Sequence, residues 1–378
     1  MEFRDLKRQY QALKPKIDEG IQQVLESARF ISGPQVAELE QQLAEYVGVK
    51  HCVTCANGTD ALTLALMAWD IGEGDAVFVP DFTFFSSGEC PAFEGATPIF
   101  VDVEEDTYNL NPEKLEEAIQ KVLSDGIYMP KVVIAVDLFG LPADYTRIRP
   151  ICEKYGLLLL EDGAQGFGGA IGDQMACSFG DIATTSFFPA KPLGCYGDGG
   201  AIFTNHDEWA QLLRSYAVHG KSGSDKYNNI RIGMNSRLDT MQAAVLLPKL
   251  NAFRDYEVSD INQAAEAYHN RLKNSHLILP TVPENFRSSW AQYTIQLPMD
   301  VDRDALQKYL KEKGIPSMVY YVKPMHQQGA FENSDSSIAD CPVTEKLCQS
   351  VLSLPIHPYM KEEEINQVCD CLLEYING

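Results

Sequence analysis

One lysine stands apart from the other cations of this chain. Lys191 lies in Thr185-Ser186-Phe187-Phe188-Pro189-Ala190-Lys191-Pro192-Leu193-Gly194-Cys195-Tyr196-Gly197-Asp198-Gly199-Gly200, just beyond a strand-like run and ahead of a Gly-rich stretch without another cation. Glycines let backbone approach the amine closely, which suits a lysine that forms a Schiff base with the carbonyl of a bound cofactor. A solvated surface lysine is the default alternative, and the pattern alone leaves both readings open.

A second segment, Leu157-Leu158-Leu159-Leu160-Glu161-Asp162-Gly163-Ala164-Gln165-Gly166, narrows the choice. Four leucines predict a buried strand, so Asp162 falls at its carboxyl end, where α/β proteins bind ligands. A carboxylate there can pair with a protonated pyridine nitrogen, as in pyridoxal phosphate enzymes. It can equally cap a helix, since small residues follow it. The third segment, Cys55-Ala56-Asn57-Gly58-Thr59-Asp60-Ala61-Leu62, reads as strand, Gly turn and helix start. Backbone N–H groups and the helix dipole at Gly58 and Thr59 would make a phosphate site, although ordinary helix capping gives the same pattern.

These segments need a scaffold that brings strand ends together. Seven apolar runs read as strands: His51–Cys55, Ala76–Pro80, Pro98–Val103, Lys131–Leu138, Leu157–Glu161, Ile182–Phe187 and Gly200–Thr204. Helical stretches such as Pro112–Leu123 and Tyr145–Tyr155 lie between several of them. Alternation of this kind predicts a mainly parallel sheet covered on both faces. After about Leu250 the pattern changes to a long polar helix (Asn251–Asn274), a strand (Gln292–Leu297), a helix (Arg303–Gly314), a loop-rich stretch (Tyr320–Ser337) and a closing helix (Lys361–Ile376). The expected division is a large cofactor-binding domain over residues 1–250, whose first ~30 residues can pack on the small domain, and a smaller α+β domain over 251–378.

The chain has 378 residues and carries 31 Lys+Arg against 53 Asp+Glu, a formal net charge of −22. That excess disfavours nucleic-acid backbones and anionic membranes, which are bound by clustered Lys and Arg. A phosphate would have to be held by local donors, since the global field opposes it. Cys52 and Cys55 have CxxC spacing, but no second pair completes a metal site, and two small buried residues explain them better. Gly220-Lys221-Ser222 imitates the end of a Walker A motif, but Ser215 stands where its first glycine belongs. The charged start Met1-Glu2-Phe3-Arg4-Asp5 lacks an apolar h-region, no run approaches a transmembrane length, and a cytoplasmic setting is expected.

Together the elements Asn57-Gly58-Thr59-Asp60-Ala61-Leu62, Glu161-Asp162-x-Ala164-Gln165, Ser186-Phe187-Phe188-Pro189-x-Lys191-Pro192-Leu193-Gly194 and Asn235-Ser236-Arg237-Leu238-Asp239 occur in a telling order. Nearly end to end, the chain resembles the DegT/DnrJ-type pyridoxal-phosphate sugar aminotransferases, which have the aspartate aminotransferase fold (fold type I). Within that family it looks most like the bacterial UDP-2-acetamido-2-deoxy-3-oxoglucuronate aminotransferases of surface-polysaccharide pathways.

The resemblance implies that Lys191 bonds the cofactor covalently, that Asp162 pairs with the pyridinium nitrogen and that Gln165 meets the ring hydroxyl. Gly58, Thr59 and Ser186 would hold the phosphate of pyridoxal 5'-phosphate. Asn235 would reach it from a partner subunit, which implies a homodimer with shared active sites. Phe84, in Asp81-Phe82-Thr83-Phe84-Phe85, falls where the family stacks an aromatic on the ring; plain core is the other reading. The expected reaction moves an amino group from L-glutamate to a keto-sugar nucleotide. Sugar contacts fall on Arg237, Tyr320 and Tyr321, in Tyr320-Tyr321-Val322-Lys323-Pro324. Tyr321 matches the family tyrosine, whereas Tyr320 replaces the histidine of the 3-oxoglucuronate enzymes. Arg237 can bind a substrate carboxylate or pair internally with an acidic residue. The alternatives are a UDP- or dTDP-linked 3-keto- or 4-keto-6-deoxyhexose as substrate, or a non-catalytic regulatory relative.

Overall fold

The computed structural model describes residues 1–223, 227–332 and 340–377. The chain opens with α1 (Leu6–Ser27) and α2 (Pro34–Val47), the latter started by Gly33 and Pro34. The alternating region follows: β1 (His51–Cys55), α3 (Gly58–Ala68), β2 (Asp75–Pro80), α4 (Ser86–Phe93), β3 (Thr97–Val101), α5 (Pro112–Asp125), β4 (Met129–Val136), α6 (Tyr145–Tyr155) and β5 (Leu158–Asp162). Two short strands, β6 (Ala170–Ile171) and β7 (Gln174–Met175), precede β8 (Ile182–Ser186), β9 (Gly200–Thr204) and α7 (Asp207–Tyr216).

Seven of these strands form one sheet in the order β1-β9-β8-β5-β4-β2-β3. The pairs β2–β3, β2–β4, β4–β5 and β5–β8 are parallel, while β9 runs against both β8 and β1. Reversal of β9 leaves β1 pointing the same way as β8, so Cys55, Pro80, Val136, Asp162 and Ser186 all end at one edge. Both faces are buried, which is why the strands read as continuous apolar runs. On one face Val77, Val79, Val132, Ile134 and Leu160 pack against α3. On the other, Phe78, Val133 and Leu159 pack against Leu115, Ile119 and Ile148 of α5 and α6.

The rest of the chain carries α8 (Thr240–Ala252), α9 (Val258–Leu272), β10 (Phe286–Arg287), β11 (Tyr293–Gln296), α10 (Arg303–Glu312), α11 (Pro342–Ser350), β12 (Val351–Leu354) and α12 (Glu362–Asn377). The helix expected over Asn251–Asn274 is the second part of a longer helical run. A wide turn over Phe253–Glu257 joins α8 to α9, so residue 250 lies inside helix. The apolar spacing of Ala243, Ala244, Leu246 and Leu250 extends that run backwards. A separate core of Tyr268, Tyr293, Leu306, Leu310, Leu354 and Leu372 binds α9, α10 and α12 to the β11–β12 pair. Residues 333–337 of the expected loop-rich stretch lie outside the described residues. Among the described residues, no helix is long and apolar enough to cross a membrane.

Candidate active site

The sheet edge explains why the singled-out segments meet. In β8 and β9, Ser186 stands opposite Gly200, and Gly200 stands opposite Cys55 of β1. Gly58 therefore meets Ser186 across the glycine. A Cβ on Gly58 would lie 2.8 Å from Ser186 Cβ, and one on Gly200 would lie 2.5 Å from the Asn57 carbonyl oxygen. Only glycine permits this approach at either position.

At the start of α3 the capping residue is Asn57, whose Oδ1 accepts the Asp60 N–H at 2.8 Å. The Gly58 and Thr59 amides belong to the first turn and have no intrahelical partner. Thr59 Oγ1 and Ser86 Oγ are 2.8 Å apart. With the half-buried Ser186 hydroxyl, these groups form a cradle of donors at a helix N-terminus, suited to an anion without any basic residue.

Asp162 is 5% exposed, and burial raises its pKa above the ordinary carboxylate range. Its Oδ2 accepts from Ser87 Oγ at 2.8 Å and its Oδ1 from the Ala164 N–H at 3.2 Å. No helix begins there, so the capping alternative falls away. Ser87 was not legible from its own segment; only the paired serines at the start of α4 hint at it. Gln165 is also buried. Its Oε1 accepts the Phe139 N–H at 2.8 Å and its Nε2 donates to the Tyr321 hydroxyl at 3.2 Å, leaving one amide hydrogen free for a ligand.

Lys191 is half-buried on the β8–β9 connection. Desolvation draws its ammonium down to about 8, and the opposing pull of the Asp162 carboxylate only partly offsets this. A surface lysine would not be so perturbed, and an amine that is partly neutral near pH 7 is a competent nucleophile and base.

Behind Asp162 lie two more buried carboxyls. Glu161 accepts the N–H groups of Cys177, Phe179 and Gly180. Asp137 Oδ1 accepts from the Ala143 N–H at 3.0 Å and the Tyr145 hydroxyl at 2.7 Å, whereas no donor reaches its buried Oδ2. Both groups are pushed up by burial, and the two interact. A protonated Asp137 that donates from Oδ2 to an ionised Glu161 satisfies every atom.

The remaining residues are distributed around this centre. Phe84 is 55% exposed, so the plain-core alternative does not hold, and its ring centroid lies 6.5 Å from that of Tyr321. Tyr320 and Tyr321 are half-buried, with Tyr320 6.5 Å from Phe3. Asn235 and Arg237 bond each other at 2.6 Å. Among the described residues no hydrogen bond or ion pair joins them to Lys191, Asp162 or Gln165, and Arg237 pairs with no carboxylate. Between them, Ser236 is buried and its Oγ accepts the Ala56 N–H at 3.0 Å, tying this segment to the cradle.

A buried carboxylate without a cationic hydrogen-bond partner, an adjacent amine of lowered basicity and an uncharged anion cradle fit pyridoxal 5'-phosphate at its ring nitrogen, carbonyl and phosphate respectively. The fold and this set of residues define a pyridoxal-phosphate-dependent transferase of fold type I. More specifically, the chain belongs to the DegT/DnrJ/EryC1/StrS aminotransferase family, which matches residues 11–373. It is 44% identical over 372 residues to UDP-2-acetamido-2-deoxy-3-oxo-D-glucuronate aminotransferase of Pseudomonas aeruginosa, covering 98% of this chain and 99% of that one. The solved structure of a DegT/DnrJ/EryC1/StrS aminotransferase from Brucella abortus superposes with a TM-score of 0.96, at 47% identity and 100% of both chains. NtdA of Bacillus subtilis, solved with bound cofactor PMP, superposes with a TM-score of 0.88 at 28% identity, over 97% of this chain and 82% of that one.

Proposed function

We propose that this aminotransferase moves the amino group of L-glutamate to a UDP-linked 3-oxo-N-acetylhexosamine or hexuronate, for surface-polysaccharide biosynthesis. The observation that carries the reading is the half-buried Lys191, drawn down to about 8, within electrostatic reach of the buried Asp162. The likeness to the Pseudomonas aeruginosa enzyme over 98% of the chain supports the sugar. So does Arg237, whose guanidinium is free of carboxylates among the described residues and can take a hexuronate carboxylate in two parallel hydrogen bonds.

Pyridoxal phosphate supplies a carbonyl that bonds amines and an electron-poor ring that accepts charge when a proton leaves. Lys191 would hold that carbonyl, its lowered basicity suiting it to bond there. The Lys191 amine would serve as the base for the donor α-carbon proton and as the acid at C4′. Asp162 keeps the ring nitrogen protonated, Gln165 directs its remaining amide hydrogen at the ring hydroxyl, and Phe84 covers a ring face. Gly58, Thr59 and Ser186 hold the phosphate, and Tyr320 and Tyr321 line the sugar side.

The chain works as a cytoplasmic homodimer in which Asn235 of the partner subunit completes the phosphate site. Phe84, Phe188, Ile230 and Ile232 are each 53–89% exposed, as apolar residues that a second copy covers would be in a single chain. A large domain over residues 1–250 carries the cofactor, and residues 251–378 form the smaller one. Tyr320, in place of histidine, favours as second reading a UDP- or dTDP-linked 3-keto- or 4-keto-6-deoxyhexose.

Lys191→Ala is expected to abolish both transamination and borohydride-trapped cofactor; normal turnover by this variant overturns the reading. Assays of UDP- and dTDP-linked keto-sugars with glutamate decide between the two sugars.

A further inference from the structure

Two cations lie beneath the lysine loop, and the chemistry above uses neither. Arg4 enters from the N-terminal segment, where its Nη2 donates to the Pro192 carbonyl at 3.2 Å while its Nη1 is buried without a partner. Lys249, on α8, is 1% exposed and its Nζ donates to the Gly194 carbonyl. The two bonds grip Pro192-Leu193-Gly194, the continuation of Lys191. The N-terminal segment is fixed in turn: the Ile356 N–H donates to the Phe3 carbonyl at 3.3 Å, and Arg8 donates to both oxygens of Glu364 at 2.7 Å.

Neither cation has a carboxylate in direct contact among the described residues. Glu257 is the anion whose charge reaches both, and its oxygens are occupied by Gln9 Nε2 and the Tyr359 hydroxyl. Nearby His357 is kept neutral, drawn down to about 4 chiefly by burial, with Arg4 adding to the effect. The two cations share one carboxylate, Glu257, whose oxygens are bonded elsewhere. Burying a cation without a paired anion is costly, so stability does not explain why the two are there.

We propose that Arg4 and Lys249 are positioning residues for Lys191: both pin its loop by backbone carbonyls, and Arg4 brings its charge to the residue next to Lys191. The inference rests on Lys191 being the cofactor-bearing lysine. Of the groups facing Lys191, Asp162 stabilises the charged amine and Arg4 opposes it. Tyr321 is kept neutral by burial and contributes no charge. Lys249 acts on the loop, where it meets Gly194 and lies 5.0 Å from the Tyr196 ring centroid.

The test is an absorbance pH titration of the holoenzyme, following the visible band of the lysine-bound cofactor. Arg4→Met is expected to move the midpoint upward by roughly one pH unit, about tenfold in proton affinity, as for one charge nearby in partly buried surroundings. Arg4→Lys, which keeps the charge, is expected to stay within roughly 0.3 unit of wild type. Lys249→Met is expected to leave the midpoint near wild type but to lower borohydride trapping several-fold at limiting cofactor. An Arg4→Met midpoint equal to wild type, or equal shifts in Arg4→Met and Arg4→Lys, overturns the charge role, and unchanged trapping in Lys249→Met overturns the pinning. Arg4→Gln carries the same titration if Arg4→Met does not fold. Peptide mapping of reduced wild type separates the failures: label away from Lys191 overturns the functional reading, whereas label on Lys191 with an unmoved titration overturns this inference alone.

Discussion

Two groups of buried charge flank Lys191, and they are built in opposite ways. On the acidic side, Asp137, Glu161 and Asp162 stand at the ends of β4 and β5, and most of their donors lie within 19 residues along the chain. On the cationic side, Arg4 meets a carbonyl 188 residues away and Lys249 one 55 residues away, while the intervening carboxylate, Glu257, is bonded 248 residues back to Gln9. Local loops supply amides cheaply, because a turn after a strand presents several N–H groups in one direction. A cation needs carbonyls or carboxylates, and here those come from segments that meet only in the folded chain. On the proposed function the contrast also shows how a chain of net charge −22 would hold a phosphate: the cradle at Gly58, Thr59 and Ser186 offers amides and hydroxyls, and the buried cations lie elsewhere.

The sharpest way to break the contrast is Asp162→Ala. On the proposed role of Asp162 at the ring nitrogen, transamination is expected to fall roughly 10²–10³-fold, on the scale of other preorganised charge stabilisation, with the far-UV spectrum unchanged. A loss under tenfold in steady-state assays would place the essential charge elsewhere. Next comes Glu161→Leu, which leaves the Cys177, Phe179 and Gly180 amides without acceptors. At about 1–3 kcal/mol each, urea unfolding is expected to show a loss of about 3 kcal/mol or more.

Asp137→Asn tests the shared proton, since an amide keeps a donor toward Glu161 but cannot ionise. An acid whose folded-state pKa is raised adds stability that is complete below its unfolded value, about 3.9, and is lost as pH rises toward the folded value. Wild type is therefore expected to weaken relative to Asp137→Asn as pH rises from about 4. A difference in melting temperature that stays constant over that rise would show Asp137 to be ionised. The smallest effect is expected on the cationic side. Lys249→Met replaces a buried cation by an apolar chain of similar length, and its unfolding free energy should change by less than about 1 kcal/mol or rise. A loss as large as that of Glu161→Leu would erase the distinction between the two sides.

Legibility followed the same division. Strand positions were readable because a parallel sheet buried on both faces leaves uninterrupted apolar runs, and His51–Cys55 and Gly200–Thr204 have the limits expected for them. The Asn57-Gly58-Thr59 turn and the Asp162 strand end were readable because each is one local element with its own chemistry. The helical run Thr240–Leu272 was read only in part, since its first half is apolar all round and lacks the polar face that marks a surface helix. Ser87 and Phe139, which orient Asp162 and Gln165 through hydrogen bonds, were not read, because neither lies near its partner in sequence.

By itself, the amino-acid sequence determined the seven strands of the main sheet, the lysine, the carboxylate and the glycine turn, since each depends on residues close to one another along the chain. Tertiary structure alone decided that β9 runs backwards and so brings Gly58 against Ser186, and that Phe84 is open rather than core. It alone decided that Arg4 and Lys249 end beneath the same loop. Those outcomes depend on contacts between segments separated by up to 188 residues, and local pattern carries no information about which distant surfaces will close on each other.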